Sequence, residues 1–347
     1  MIELDGAYGE GGGQILRTAF VLSMLTDQPF HIENIRSGRP SPGLKPQHLH
    51  IGKALLEMSD ARIEGLAIGS QTLTFYPGAV YGGVYGMEIG TAGAIPLFLQ
   101  TILPVAMFAD GSITFTVSGG TDVRGAMTIN FLSDVILPFL KPYAQRLELQ
   151  VNSHGFFPVG GGVVKIRVAS RFDQSNWQTV AGQLPPLELA ERGNLKRIRV
   201  FSRASEDLVE RKVAERQSSS FKRESKAERL EIKNVTVNSP SPGSSITAIA
   251  EYEKTRIGAD ALGERNKPAE DVGKEAALRL NSELASPCTV DVHTADNLML
   301  WVALFGGVYC FRELTGHIET NAWTIEKFLP GALRIEENRV MGRRVAA

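Results

Sequence analysis

The chain of 347 residues is 43% hydrophobic and 22% charged, so it has ample material for a core and enough length for two domains. Its net charge of -1 gives no overall attraction to nucleic acid, so a polyanionic partner would need a local cluster of basic side chains. The two cysteines lack metal-ligand spacing and favour reduced thiols in a cytoplasmic location. We expect no export signal and no membrane anchor, because the apolar stretch at 94–108 is short and contains prolines.

The segment at 9–17 contains four glycines, a carboxylate at Glu10 and a guanidinium at Arg17. Glycine can present backbone amides to an anion, and the apolar run from Ile15 predicts a helix whose N-terminus also favours negative charge. The segment lacks the ending of a phosphate-binding loop, and Gln14 stands where the dinucleotide fingerprint has its third glycine. Two interpretations stay open: a phosphate site of another kind, or a turn whose glycines only permit tight packing.

A turn rich in glycine or alanine, an apolar helix, a strand and a second helix recur three times, beginning near residues 9, 90 and 294. The predicted elements are, in order, a helix from 14, a strand at 30–35 and a helix at 47–58; a helix at 96–108, a strand at 112–118 and a helix at 128–140; a helix at 298–304, a strand at 308–311 and a helix at 321–329. This recurrence predicts an α+β body of repeated α/β units.

The interval from 186 to 284 is richer in Lys, Arg and Glu than its surroundings and separates the second unit from the third. Its predicted elements are a strand at 196–202, a helix at 206–217, strands at 230–237 and 246–254, and a helix at 268–284. We interpret it as a small inserted α/β domain, with residues 1–185 and 285–347 forming the large domain. Its charged helices favour solvated faces over nucleic-acid contacts.

His317 precedes the last predicted helix, for which we expect Thr320 and Asn321 as caps. The positive end of a helix disfavours an imidazolium ion and favours phosphate, so this neutral ring can attack phosphorus. Asp296 begins the helix predicted at 297–304 and can be its N-cap, the acceptor that fixes the imidazole tautomer, or both. A histidine in a loop can equally be an ordinary surface residue.

Further polar side chains stand at turns or inside an apolar helix, where they are unusual unless they bind something. They are Arg36, Arg39, Gln47, His48 and Gln100. Together they indicate an anion-binding pocket, although each alone can pair with a carboxylate or with the backbone.

Six segments have a highly specific order and spacing: EGGGQILR at 10–17, RSGR at 36–39, LQT at 99–101, SGGTD at 118–122, HGFFPVGGG at 154–162 and TGHIETN at 315–321. Together they closely resemble the RNA 3'-terminal phosphate cyclase family over nearly the whole chain. The resemblance implies an α+β fold with a large domain of three repeated α/β units, similar to the C-terminal domain of translation initiation factor 3. It also implies a small inserted α/β domain.

In that family a histidine attacks the α-phosphate of ATP, AMP passes to an RNA 3'-phosphate, and the neighbouring 2'-hydroxyl displaces AMP to leave a 2',3'-cyclic phosphate. The resemblance implies His317 as the nucleophile, Asp296 as its orienting partner, and Glu10 as the carboxylate near a divalent metal, Mg²⁺ or Mn²⁺. The implied phosphate contacts are Arg17, Arg36, Arg39, Gln47, His48 and Gln100. The implied partners are ATP and RNA with a 3'-phosphate end.

Two departures from the family pattern concern the nucleotide. His293 and Met127 align with a tyrosine and a proline that flank adenine in some members, so they are implied to contact the base. Ser41 stands where a lysine is sometimes found, which would remove one phosphate contact.

Two other functions compete with ATP-dependent cyclisation. A non-catalytic branch of the family acts as a binding factor in ribosome assembly and RNA processing, but it lacks the nucleophilic histidine that His317 matches. An enolpyruvyl transferase built from similar α/β repeats would act on shikimate or a phosphorylated sugar, and ATP would not label it.

Overall fold

The computed structural model describes residues 1–90, 92–227 and 229–344, which form four four-stranded sheets with helices packed against them. Three of the sheets share one strand order and one pattern of strand directions, and each belongs to a unit that runs strand, helix, strand, helix, strand, strand. The predicted mixed α+β class is confirmed. No helix in these ranges is both long enough and apolar enough to cross a bilayer.

The first unit shows how alternating side chains build each sheet. Its elements are β1 (Ile2–Asp5), α1 (Gln14–Thr26), β2 (Phe30–Glu33), α2 (Pro46–Met58), β3 (Arg62–Glu64) and β4 (Leu73–Tyr76). The strand order is β1-β2-β4-β3, with β1 parallel to β2 and the other neighbours antiparallel. Phe20 of α1 meets Phe30 and Phe75 of the sheet edge to face, at centroid distances of 5.8 and 5.0 Å, an arrangement that the ring quadrupoles favour.

The second unit repeats this order with a longer final hairpin. Its elements are β5 (Gly83–Glu88), α3 (Ile95–Ala106), β6 (Ile113–Gly119), α4 (Ile129–Phe131), a π-helical turn (Leu132–Ile136), α5 (Leu137–Leu140), β7 (Ala144–Ser153) and β8 (Gly162–Ser170). The sheet order is β5-β6-β8-β7, again with only the first pair parallel. The short helix α6 (Trp177–Ala181) follows and packs Trp177 against Phe108.

The third unit is interrupted after its first strand, β9 (Leu187–Leu189). The elements that follow β9 are β10 (Leu195–Ser205), α7 (Val213–Glu224), β11 (Leu230–Val237), β12 (Ser244–Tyr252), β13 (Arg256–Leu262) and α8 (Ala269–Ala285), and then α9 (Val292–Phe305), β14 (Gly307–Cys310), α10 (Gly316–Phe328), β15 (Leu333–Glu336) and β16 (Arg339–Gly342). We call the segment from β10 to α8 the insertion. It has its own sheet, β11-β10-β12-β13, and its own apolar core.

Strand β9 lies within 186–284, the range predicted for the small domain, yet it pairs in parallel with β14 of the third sheet. The third sheet then has the order β9-β14-β16-β15, which matches the other two units. The two-domain division stays a prediction, and this pairing moves its first boundary to a point after Leu189. Strand β13 was not predicted, because residues 257–261 are all buried and lack the alternation of a half-exposed strand.

The chain passes from the large body into the insertion before β10 and returns after α8, and the half-buried side chain of Arg192, which lies in the first of these crossings, contacts the second. Its guanidinium donates to the carbonyl oxygens of Glu283 at 2.9 Å, Leu284 at 3.2 Å and Ser286 at 2.5 Å, and also to that of Cys288. These carbonyls lie at or beyond the last turn of α8, where the helix has no partners of its own and its dipole favours a cation.

Replacing Arg192 with Met keeps the aliphatic stem but leaves these carbonyls without their charged donor. We expect the free energy of unfolding to fall by about 3 kcal/mol, measured by urea denaturation. Arg192→Lys should recover only part of the loss, because an ammonium ion cannot span the same fork of acceptors. The exposed Lys233→Met is the matched control, and an unchanged midpoint in Arg192→Met would contradict this role.

Candidate active site

The glycine turn at 9–13 leads into α1 and packs against the first turns of α10. Gly9 and Gly11 have φ values of +57° and +54°, a region that strains any residue with a Cβ. The Glu10 amide donates to the Thr320 hydroxyl at 3.4 Å, and Thr320 is 1% exposed. A Cβ on Gly9 would overlap that hydroxyl. The glycines therefore do permit tight packing, and the same packing places the Glu10 carboxylate beside α10.

His317 lies in the first turn of α10 rather than ahead of it. The helix begins at Gly316, and the Thr315 hydroxyl caps it by accepting from the Ile318 amide at 3.3 Å. The prediction that Thr320 and Asn321 cap this helix is wrong, because both are buried within it. His317 nevertheless stays at the positive end of the helix, and its side chain is 54% exposed, so a substrate can reach the ring.

The orientation of the imidazole is set by a glutamine. His317 Nδ1 hydrogen-bonds to Gln14 Oε1, and Gln14 Nε2 donates to Asp296 Oδ1 at 2.5 Å and to the His317 carbonyl at 3.3 Å. The neutral tautomer that satisfies this arrangement carries its proton on Nδ1 and leaves the lone pair on Nε2. Nε2 points to the other side, 3.3 Å from Glu10 Oε2.

Asp296 reaches the imidazole only through Gln14. It was also predicted as an N-cap, which is wrong: α9 begins at Val292, and Asp291 caps it by accepting from the Thr294 amide at 2.8 Å. Asp296 sits one turn inside the helix, where its Oδ1 also accepts from Asn321 Nδ2 at 3.1 Å. Burial raises the pKa of Asp296, and the opposing effects of His317, Gln14 and Arg17 favour its charged form.

His48 faces the glycine turn from the first turn of α2 and is fully buried. Its Nδ1 accepts from the Lys45 amide at 3.0 Å, which puts the proton of the neutral ring on Nε2. Burial, followed by the charges of Arg17, Arg36 and Lys45, lowers the pKa of His48 to about 3. Among the described residues Nε2 has no hydrogen-bond partner, and only the missing Cβ of Gly13 leaves it room. A buried donor without an acceptor fits an anionic ligand.

The guanidinium groups of Arg17 and Arg36 lie beside His48, and that of Arg39 lies near Arg36. Burial lowers the pKa of Arg17 to about 10, Asp296 raises it and Arg36 lowers it, so the group remains a cation at neutral pH. Arg36 has a left-handed backbone, φ +57°, and burial together with Arg39 lowers its pKa. Its Nε is buried without a partner among the residues described. A bound phosphate would reduce the repulsion between these neighbouring cations and would give Arg36 Nε a hydrogen-bond acceptor. The cluster therefore has the features of a phosphate site.

Glu10 is the carboxylate between this cationic group and the histidine. Its Oε2 lies 3.6 Å from the Arg39 guanidinium as well as 3.3 Å from His317 Nε2. No three His, Cys, Asp or Glu side chains form a metal-binding group within the described ranges. Mg²⁺ often takes a single protein carboxylate and fills its other positions with phosphate oxygens and water, and Glu10 fits that role.

Gln100 belongs to the same cluster, whereas His293 and Met127 are less tightly connected to it. Gln100 Nε2 donates to Asn297 Oδ1 at 2.8 Å, which joins α3 to α9, and both line a cavity of about 70 Å³ with Gln14, Arg17 and Asp296. His293 is exposed at the start of α9, and its ring lies edge-on to Phe131 at 6.2 Å.

Met127 and Gln47 are half-buried, Met127 against the core of the large body and Gln47 beside His48 on α2. Across the described parts of the chain, neither these side chains nor the His293 ring bonds to the cluster. Lys45 extends its ammonium group to the hydroxyl of Ser41, so a cation is present beside the position where the family pattern sometimes has lysine.

A family profile described as RNA 3'-terminal phosphate cyclase matches residues 8–335. A protein of that name from Methanopyrus kandleri is 42% identical over 96% of this chain and 95% of its own length. The proteins of that name from Pyrococcus furiosus and Saccharolobus solfataricus are 39% and 40% identical, over 94% and 98% of this chain and 93% and 97% of theirs. The chain belongs to the RNA 3'-terminal phosphate cyclase family.

Membership in the RNA 3'-terminal phosphate cyclase family confirms the resemblance carried by the six segments, and the matched range includes both the glycine turn and His317. The residue that sequence reasoning missed is Gln14, which it noted only as a departure from another fingerprint. Its position directly after the glycine run was a signal that it lies close to the site. Its contacts with two residues about 300 positions away were not visible in the sequence.

The depressed pKa of His48 predicts a specific acid sensitivity. The unfolded histidine takes up a proton below about pH 6.5 while the folded one stays neutral down to about pH 3, so stability falls as the pH drops through this interval. This one group should lower the free energy of unfolding by about 2 kcal/mol between pH 6.5 and 4.5. We expect His48→Gln, whose amide oxygen can still accept from Lys45, to lose less stability over that range in urea titrations. Equal losses in both proteins would contradict the assignment.

Proposed function

We propose that this protein is an ATP-dependent RNA 3'-terminal phosphate cyclase, which converts an RNA 3'-phosphate end into a 2',3'-cyclic phosphodiester. The observation that carries the proposal is the imidazole of His317, held through Nδ1 by Gln14 with Nε2 turned toward Glu10. Family membership supplies the reaction class, and the cationic group of Arg17, Arg36 and Arg39 supplies complementary charge for phosphates.

In the first step the Nε2 lone pair of His317 attacks the α-phosphorus of ATP. A bond from nitrogen to phosphorus forms, the bond from that phosphorus to the bridging oxygen breaks, and pyrophosphate leaves with the electron pair. The ring becomes positively charged as the bond forms. Gln14 Oε1 accepts a hydrogen bond from the Nδ1–H group, and Gln14 Nε2 donates to the Asp296 carboxylate. This chain of hydrogen bonds stabilises the positive charge on the ring.

In the second step an oxygen of the RNA 3'-phosphate attacks the AMP phosphorus. The bond to Nε2 breaks, its electron pair returns to the neutral ring, and AMP is joined to the RNA. The RNA 2'-hydroxyl then attacks the 3'-phosphorus, loses its proton, and expels AMP. This last step is intramolecular, so its rate owes much to proximity.

The arginines and His48 lower the repulsion between the two anionic reactants. Glu10 would hold a divalent ion, Mg²⁺ or Mn²⁺, which when bound neutralises phosphate charge. His293 and Met127 would flank the base of ATP, and Gln47 and Gln100 would bind its phosphates or ribose. A non-catalytic binding factor in RNA processing is the alternative, and the positioned His317 argues against it.

Incubation with ATP labelled at the α-phosphate and a divalent ion tests the proposal. We expect a covalent protein-AMP adduct that is labile to acid and stable to alkali, and none in His317→Ala. An RNA with a 3'-phosphate should then become resistant to phosphatase. Absence of label from both proteins, with both folded, would overturn the proposal.

Gln14 and Asp296 should act on the rate of adenylylation. We expect Gln14→Leu and Asp296→Asn each to slow labelling on the order of 10- to 100-fold, because the imidazole loses its orientation and charge support. The matched control is Gln28→Leu, which removes a glutamine just beyond the end of α1 that donates to the carbonyl of Phe328 at 3.2 Å, at the end of α10 remote from His317. Equal labelling rates in Gln14→Leu and Gln28→Leu would contradict the positioning role.

A further inference from the structure

A second and larger cavity, of about 1300 Å³, lies between the large body and the insertion. We call it the interdomain cleft. The large body contributes the loop at 122–124 and the hairpin tip at 156–158, and the insertion contributes the first turns of α7 and α8 and the loop at 262–268. Small-molecule pockets typically measure roughly 300–1,000 Å³, so the cleft has room for more than one nucleotide.

Cationic side chains outnumber acidic ones in the lining of the cleft. The five cationic residues are Arg124, Arg211, Arg216, Arg265 and Lys267, and the two acidic residues are Asp122 and Glu264. Arg216 is bound by Glu270 at 2.7 Å, and Lys267 is bound by Glu275 at 2.5 Å. In the part of the chain that the structure describes, Arg124, Arg211 and Arg265 form no ion pair. For a chain with a net charge of -1 this is a local excess of positive charge that suits a polyanion.

The wall of the cleft also contains a buried acceptor without a donor. Asp122 is 3% exposed, and its Oδ2 accepts from the Thr121 hydroxyl at 2.6 Å and contacts His154 Nδ1 at 3.1 Å. Its Oδ1 has no hydrogen-bond partner among the described residues. A ligand that brings hydroxyl or amine donors together with phosphates satisfies both Oδ1 and the arginines, and a ribonucleotide has these groups.

An exposed aromatic ring stands at the edge of the cleft. Phe157 is 74% exposed at the tip of the hairpin between β7 and β8. Phe156 beneath it is buried in the space left by Gly243, and the Val159 amide donates to the Ser241 hydroxyl at 3.1 Å. The insertion therefore holds the hairpin in place and presents the ring ready for stacking, the usual way in which proteins hold unpaired bases.

We infer that the interdomain cleft binds the single-stranded RNA that precedes the reacting 3' end, with Phe157 stacking on a base and Arg124, Arg211 and Arg265 contacting phosphates. The inference rests on the proposed function, which supplies the RNA substrate. One loop links the two sites: Arg124 lines the cleft, and Met127, three residues later, is the residue aligned with the base contact of ATP.

The test compares two substrates with 3'-phosphates, an RNA of about 12 nucleotides, which is within the usual site size for single strands, and a dinucleotide. The variants are Phe157→Ala and the pair Arg211→Ala with Arg265→Ala. The matched control is Lys196→Ala with Lys233→Ala, which removes two exposed cations of the insertion that do not line the cleft.

We expect each cleft variant to raise KM for the long RNA on the order of tenfold and to leave KM for the dinucleotide unchanged. The double arginine variant should also reduce the slope of log affinity against log salt by about 1.4, since each phosphate contact on a single strand contributes about 0.7. Labelling of His317 by ATP without RNA should be unchanged in all variants.

Failure of the two proposals can be told apart. Loss of ATP labelling in the unmodified protein would sink the proposed function alone, because binding of a fluorescent oligonucleotide measured by anisotropy tests the cleft without catalysis. Unchanged affinity for the long RNA in both cleft variants would overturn the cleft assignment. Equal changes for the dinucleotide and the long RNA would overturn it as well, since they would place these side chains at the reacting end.

Discussion

The side-chain amide of Gln14 is the contact on which the rest of the site depends. Its two ends are chemically different, and each faces partners of the opposite kind: the oxygen meets the N–H of His317, and the nitrogen meets the carboxylate of Asp296 and the His317 carbonyl. Rotating the amide by half a turn would oppose two donors on one side and two acceptors on the other. One side chain thus favours the tautomer of His317 that carries its proton on Nδ1.

The same contact joins the first unit of the fold to the third. Gln14 and Arg17 lie on α1, Gln100 on α3, and Asp296 and Asn297 on α9, and these three helices are each the first helix of their unit. The site is therefore built where equivalent elements of three repeats meet. Repetition supplies the framework, and the three first helices contribute different polar groups to it: the guanidinium of Arg17, the amide of Gln100 and the carboxylate of Asp296.

Sequence patterns located the elements better than they located the ends of helices. Thr320 and Asn321 were predicted to cap α10 and Asp296 to cap α9, but the caps are Thr315 and Asp291, which lie five positions before Thr320 and Asp296. Every one of these residues can cap a helix, and the sequence does not show which oxygen meets a free amide. Strand β13 was missed for a related reason, because burial on both faces removes the alternation that marks a strand.

Candidate site residues were easier to recognise than their mutual contacts. Glu10, Arg39 and His317 were identified, and the structure brings them together at 3.3 and 3.6 Å. The intermediary between His317 and Asp296 could not be predicted, because it depends on how α1, α9 and α10 pack. Among the described residues Met127 forms no bond within the cluster, so its contact with the base stays a prediction.

The hydrogen bonds of Arg192 bear on how the insertion can vary in the course of evolution. The polypeptide leaves the large body and returns to it within reach of a single guanidinium, so the two ends of the insertion are held next to each other. Because the two ends are adjacent, a segment between them can lengthen or shorten without changing the distance between the chain ends that it joins. Selection can thus reshape the insertion's wall of the interdomain cleft while the cluster around His317 keeps its contacts.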